Sequence, residues 1–321
     1  MKKEMILGID MAKRNFAAFL LPEQGRMRQG SFDNTAPGFA ELQSWLAVQD
    51  LSAVRVAIEA TGPYWMGLAH FMHEAGAQVF LLNPAYVKAH GQAAGRRSKT
   101  DPVDARLIAD YLRTHDCEPW VPLPAELEQL RELMRLYADV TALAASMAQR
   151  KESLRTGLAT KLQAEVTASL QQFAKKILQS AHAQASQHPS LAQPMRCLRS
   201  IKGIGPVTAL TLTAELPRQR SARSVAGWAG VTPRQFVSGE TVYKRPKLCK
   251  QGSDYVRHVL YWPAITALRF NPAMQAFGQR LQQRGLNKMQ IVGAAMHKLL
   301  RWAVGVINSK KYFDPSLHAS S

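Results

Sequence analysis

The chain has 321 residues and carries 41 Lys and Arg against 23 Asp and Glu, a formal net charge of +18, with 46% hydrophobic and 20% charged residues. This describes a folded protein of roughly two domains at about 150 residues each, and it excludes a disordered basic tail, a collagen-like repeat and a membrane-span class. Three scattered cysteines, Cys117, Cys197 and Cys249, show no paired spacing, so neither a disulfide framework nor a zinc ribbon is indicated and a reducing cytoplasm is expected. The apolar run after Lys2 and Lys3 ends at Asp10, too short for a signal peptide or spanning helix. The excess charge is uneven. Residues 1–120 hold 13 basic and 13 acidic side chains, and the remainder holds 28 and 10. A neutral front and a basic back predict a polyanion bound mainly by the second part.

Three short strands are predicted first, at Glu4–Asp10, Asn15–Leu21 and Arg26–Phe32, with Gly25 marking the turn between the last two. Pro37–Val48 reads as an amphipathic helix with Phe39, Leu42, Trp45 and Leu46 on one face, followed by a strand at Val54–Ile58, a helix at Tyr64–Glu74 and a strand at Gln78–Leu82. A meander followed by alternating helices and strands implies a mixed sheet flanked by helices, the order of the ribonuclease H-like fold. From Pro124 to about Ala185 the Leu/Ala/Gln/Lys-rich sequence predicts one or two long helices, with an apolar stripe of Leu127, Leu130, Leu133, Met134 and Leu136. Such helices fit a connector or self-association arm as well as a hairpin packed on its own domain. His188-Pro189 and Pro194 read as breaks that open a last, mainly helical domain, interrupted around Thr232–Gly252.

Asp10 ends an apolar strand, and Glu59 holds the matching place in Val56-Ala57-Ile58-Glu59-Ala60-Thr61-Gly62. A carboxylate leaving such a strand is costly unless it is paired or holds a cation. Asp101 and Asp104 follow in Lys99-Thr100-Asp101-Pro102-Val103-Asp104, with Pro102 suited to a helix start and the three-residue spacing putting both acids near one side of the first turn. Singly, each acid has a structural reading: Asp101 as a cap, Asp104 as a partner of the helix dipole. As a set, four hard oxygen donors suit Mg²⁺ and phosphodiester chemistry. The basic run Arg96-Arg97-Ser98-Lys99 would suit phosphates.

In the second half, Ile201-Lys202-Gly203-Ile204-Gly205-Pro206 has the spacing of a helix-hairpin-helix turn, whose backbone amides accept a phosphate at the next helix start. It lies in a stretch, Arg196–Arg257, with 12 basic and three acidic residues. Those contacts would be independent of nucleic-acid sequence and sensitive to salt. Downstream, Thr232-Pro233-Arg234 leads into Val237-Ser238-Gly239 and then Lys244, Arg245, Lys247 and Lys250. From chemistry alone Ser238-Gly239 is an ordinary turn pair, although a serine among cations could attack a phosphodiester.

Gly-Ile-Asp at Asp10, Ile-Glu-Ala-Thr-Gly at Glu59 and Lys-Thr-Asp-Pro-Val-Asp at Asp101 and Asp104 resemble the acidic tetrad of the insertion-sequence-110 family of DEDD transposases, relatives of the pilin-gene invertases. Asn83-Pro84, Thr232-Pro233-Arg234 and Ser238-Gly239 extend the match over nearly the whole chain, while Lys244, Cys249 and Val256 stand where the family has Gly, Ser and Leu. The resemblance implies a RuvC-like catalytic domain over 1–120, a helical, coiled-coil connector over 121–190 and a mainly helical C-terminal transposase domain over 191–321. It further implies Ser238 as nucleophile, Mg²⁺ on Asp10, Glu59, Asp101 and Asp104, and nucleic-acid contacts from Lys202, Gly203, Gly205, Arg234, Lys244, Arg245, Lys247, Lys250 and Arg257. The expected activity is RNA-guided cleavage and exchange of donor and target DNA, with a noncoding bridge RNA and a dimer of dimers. Two alternatives stay open at this level: a hydrolytic RuvC-like junction nuclease needing only the acids, and an inactive nucleic-acid-binding relative.

Overall fold

The computed structural model describes residues 5–22, 26–47, 50–94, 101–150, 153–217, 221–238, 242–249 and 251–318, with backbone alone at 101–103, 234–238, 242–247 and 317–318. The predicted turn at Gly25, the basic run Arg96–Lys99 and Lys250 lie outside the described residues. The chain divides into two compact units, Met1–Pro122 and Leu123–Ser321. The helices expected to form a connector fall within the second unit.

The first unit is a five-stranded mixed sheet of β1 (Met5–Met11), β2 (Asn15–Leu21), β3 (Arg28–Asp33), β4 (Val54–Glu59) and β5 (Gln78–Leu82), in the order β3-β2-β1-β4-β5. Strands β1, β4 and β5 run parallel, β2 pairs antiparallel with β1, and β3 antiparallel with β2. Central β1 is apolar at nearly every position because helices cover both faces of the sheet. Leu7, Ile9, Val54, Val56 and Ile58 face a core with Phe39, Leu42 and Leu46 of α1 (Ala36–Leu46) and Leu68, Ala69 and Met72 of α2 (Met66–Glu74). On the opposite face Ile6, Phe19, Ala57 and Phe80 pack with Val87 of α3 (Pro84–Ala93) and Ala105, Ile108, Ala109 and Leu112 of α4 (Asp101–Thr114). The sequence places the five strands, α1 and α2 within two residues of their observed ends; it marks only the start of α4 and does not mark α3.

In the second unit, α5 (Ala125–Arg150) and α6 (Gly157–Gln187) form an antiparallel hairpin, its open end closed by Ser190 Oγ donating to Glu126 Oε1 at 3.1 Å. Leu127, Leu130 and Met134 enter a common core with α7 (Pro189–Arg199), α8 (Pro206–Glu215), α9 (Ala222–Trp228), α10 (Asp254–Phe270), α11 (Pro272–Gln283) and α12 (Lys288–Ser309). Three expectations are corrected here. Leu136 does not join the stripe: it is half exposed, because the buried face follows Leu127, Leu130 and Met134 around the helix. Pro194 does not break the chain; it is buried inside α7, which already begins at Pro189. The interruption around Thr232–Gly252 contains a β-hairpin, β6 (Pro233–Ser238) with β7 (Val242–Leu248).

The main polar tie in this core was invisible in the sequence. Glu215, only 3% exposed at the end of α8, takes a bidentate pair from Arg135, Nε to Oε1 at 2.7 Å and Nη2 to Oε2 at 3.1 Å. Arg131 lies 3.7 Å from the same carboxylate and donates from Nε and Nη2 to the Ala214 carbonyl. Both arginines stand on α5, so a buried charge that would otherwise be prohibitive locks the long hairpin to the helical core.

Candidate functional site

The parallel register of β1 and β4 runs to Ile9 opposite Ile58, and the next residues on the two strands are Asp10 and Glu59. Neighbouring strands lie about 4.8 Å apart, so the two carboxylates leave the sheet side by side. They also share a face. Asp10 alternates with Ile6 and Gly8, and Glu59 with Ala57, all on the side that α4 covers. Helix α4 lies directly on β1: a Cβ on Gly8 would sit 2.1 Å from the Ala105 carbonyl oxygen and 2.6 Å from the Ala109 nitrogen.

The chain leaving α4 returns to the start of β5, where the Trp120 amide donates to the Val79 carbonyl at 2.7 Å. Helix α4 therefore runs antiparallel to β1, and its first turn, with Asp101 and Asp104, lies at the sheet edge where β1 and β4 end. Asp104 is half-buried; of Asp101 the backbone alone is described. Among the described residues no group of three or more His, Cys, Asp or Glu side chains closes into a metal site.

Thr61, Gly62 and Asn83, which the sequence marks only as motif residues, and Asn34, which it does not single out, hold this edge. Thr61 Oγ1 donates to Glu59 Oε1 at 2.9 Å. Asn34 Nδ2 donates to the carbonyls of Ala12, at 3.2 Å, and Tyr64, at 3.1 Å, tying the loop after Asp10 to the loop after Glu59. Gly62 supplies a left-handed turn within the loop after Glu59, with φ +60°. Asn83 caps α3 at the same edge through Ala85 N at 2.9 Å. The available signal was Asn34 and Gly62 following strand ends, a pattern too common to single out.

In the second unit the Gly203–Gly205 turn connects α7 to α8. Gly203 has φ +117°, and a Cβ there would meet the Ala267 Cβ at 2.7 Å, so this glycine is fixed by packing on α10. Gly205 caps α8 with open space around it, and Lys202 is exposed beside it. Buried Asn271 anchors the turn: its Nδ2 donates to the Lys202 carbonyl at 3.1 Å while its Oδ1 accepts from Ala273 and Met274 at the start of α11.

Ser238 is the last residue of β6, paired with Val242 across the loop. Lys244 stands opposite Phe236 and Lys247 opposite Arg234, with a bulge between Arg234 and Phe236, and Arg245 follows Lys244 on β7. The hairpin base is closed by Cys249 N donating to the Thr232 carbonyl at 2.9 Å and by Ser253 N donating to that of Trp228 at 2.9 Å. Gly230 and Gly252 permit this crossing, both at positive φ with backbone oxygens under 3 Å from any added Cβ. Arg257 is turned inward, its guanidinium donating to the Ala229 carbonyl and paired with Asp254, so it braces the turn beneath the hairpin.

Two family descriptions match the chain, "Transposase" of the IS110 DEDD type over residues 7–160 and "Transposase IS116/IS110/IS902 family" over residues 195–279. Pilin gene-inverting proteins of Moraxella lacunata and Moraxella bovis are each 30% identical to it over 321 residues, covering 97% of this chain and 98% of theirs. The chain belongs to the IS110 family of transposases. Membership makes it a DNA-recombining enzyme, with DNA as substrate. In this transposase the first matched segment carries the whole acidic edge, and the second carries the Gly203–Gly205 turn and the Ser238 hairpin. None of its described helices is long and apolar enough to cross a membrane.

Proposed function

We propose that this transposase cuts and rejoins DNA through a serine-linked intermediate, with Ser238 attacking phosphorus and Asp10, Glu59, Asp101 and Asp104 forming the acidic centre. The reading is carried by one observation: Asp10 and Glu59 end adjacent parallel strands on the very face where the first turn of α4 lands. The strand order β3-β2-β1-β4-β5 with antiparallel β2 supports a ribonuclease H-like, RuvC-like unit. All four candidate ligands are carboxylates, a donor set that fits Mg²⁺. When bound, Mg²⁺ would offset charge on the scissile phosphate.

The remaining steps belong to the protein. Thr61 and Asn34 hold the acidic edge in one arrangement. Ser238 forms a phosphodiester to one DNA end while the bond from phosphorus to the leaving sugar oxygen breaks, the serine proton balancing that oxygen. Attack by a second DNA end reverses the step and joins a new partner. Cations on β7 would neutralise the crowded phosphates.

Sequence choice falls to a noncoding bridge RNA paired with donor and target DNA, a division consistent with a second unit carrying 28 basic and 10 acidic residues. Assembly as a dimer of dimers is supported by an exposed apolar row on α6, Leu158, Leu162, Val166 and Phe173. The test is recombination between two plasmids supplied with the flanking RNA. Asp10→Asn and Glu59→Gln should each lower product by at least a hundredfold, and omission of the RNA should abolish it. Unchanged product from either variant would refute the acidic centre.

A further inference from the structure

The second unit holds a basic, aromatic groove that neither the acidic edge nor the Ser238 hairpin uses. One stretch, of about 940 Å³, is lined by Lys298, Arg301 and Trp302 of α12 and by Lys311, Tyr312 and Phe313 of the segment after it. A second, of about 420 Å³, adds Arg196 and Lys310 and shares Lys311 and Tyr312 with the first. The two stretches adjoin at Lys311 and Tyr312, and Tyr312 is 66% exposed between them.

The walls are fixed. Phe313 N donates to Ser200 Oγ at 2.8 Å, the Phe313 ring packs on Trp302 at 4.7 Å, and Gln193 Nε2 reaches the Lys310 carbonyl at 3.5 Å. The Lys298 ammonium lies over the Phe277 ring, 4.4 Å from its centre. Burial pulls Lys298 below the usual lysine range, and Arg280 and Arg301 add to the pull. A polyanion laid along these lining cations would offset their like charge. Asp314 is the one acid among the lining residues, and it is turned to cap Ser316, accepting from N at 2.9 Å and Oγ at 2.6 Å.

Cations that follow a backbone beside an exposed ring are the chemistry of single-stranded nucleic acid, since an unpaired base is free to stack on a side chain while duplex bases are already stacked on one another. We infer that this groove holds a single strand of DNA, its phosphates along Arg196, Lys311 and Arg301 and a base on Tyr312. DNA is chosen over RNA because DNA is the family's substrate. The inference rests on the proposed strand exchange, which leaves unpaired ends to be held while they change partners.

The experiment is fluorescence-anisotropy titration of the full chain with labelled oligo-dT, oligo-rU and a DNA duplex, without Mg²⁺ and over a salt series. Oligo-dT should bind without Mg²⁺. Tyr312→Ala should weaken it about tenfold with Tyr312→Trp restoring it, and Arg301→Gln should flatten the salt slope by about 0.7. Circular dichroism confirms folding of these surface variants. Equal binding of oligo-dT by Tyr312→Ala and parent, or an equal loss of oligo-rU or duplex binding in Tyr312→Ala, would each overturn the assignment. Formation of a Ser238–DNA adduct by Tyr312→Ala at saturating DNA keeps the catalytic reading separate from this one.

Discussion

Gly8 shows how one residue sets the site. With the Ala105 carbonyl 2.1 Å from the position of a Cβ, Gly8→Ala must push α4 off the sheet and carry Asp101 and Asp104 away from Asp10. The expected cost is about 3 kcal/mol, the upper range for overpacking, with recombination lost even where the fold survives; thermal melting and the plasmid assay check both. Arg135→Ala leaves Glu215 buried with only Arg131 at 3.7 Å, and should cost about 3 kcal/mol by denaturant unfolding. Asp10 and Glu59 were readable in the sequence because a carboxylate closing an apolar strand has few structural uses. Glu215 was not, because its partners stand 80 residues or more away and nothing local marks it as buried.

Pairing between elements adds to the acid sensitivity of the first unit. His90 Nε2 on α3 meets Asp110 Oδ2 on α4 at 3.1 Å, and Arg113 closes on the same carboxylate at 2.6 Å. Burial alone would raise the Asp110 pKa, but the hydrogen bonds from Arg113 and His90 outweigh it and hold the group below its ordinary 3.8. A depressed carboxylate stabilises the fold above its unfolded value, and that contribution is lost as pH falls through the lower folded value. Asp110→Asn should therefore melt lower than the parent at pH 7, with the difference shrinking as pH falls below 3.8, as followed by circular dichroism. Asn271→Ala removes the partners of the Lys202 carbonyl and of two α11 amides, and should cost about 2 kcal/mol in denaturant unfolding. The sheet, α1, α2 and the later helices α10, α11 and α12 followed from periodicity and from caps, while α3 did not. The β6–β7 hairpin did not, because Arg234, Lys244, Arg245 and Lys247 interrupt the alternation that marks a strand and its pairing depends on the crossing of Gly230 and Gly252.

At the scale of the whole molecule, all of the net charge lies after residue 122: the first unit is neutral and the second carries +18. Nucleic-acid affinity should accordingly fall steeply with salt, with a slope near −0.9 for each duplex phosphate neutralised, and Asp10→Asn should leave that slope unchanged. The exposed row on α6 belongs to the same scale. Leu162→Asp should reduce the mass seen by light scattering while leaving the helical core intact, since Leu162 is 52% exposed. In the proposed mechanism Ser238 and the acidic edge act in one reaction, and the most direct measurement is a search for a denaturation-resistant protein–DNA adduct. Incubation with Mg²⁺, the flanking RNA and a nicked DNA substrate should yield an adduct whose linked peptide contains Ser238, and Ser238→Ala should give none. Cleaved DNA with free ends, no adduct and equal yield from Ser238→Ala would contradict the account and leave a hydrolytic nuclease in its place.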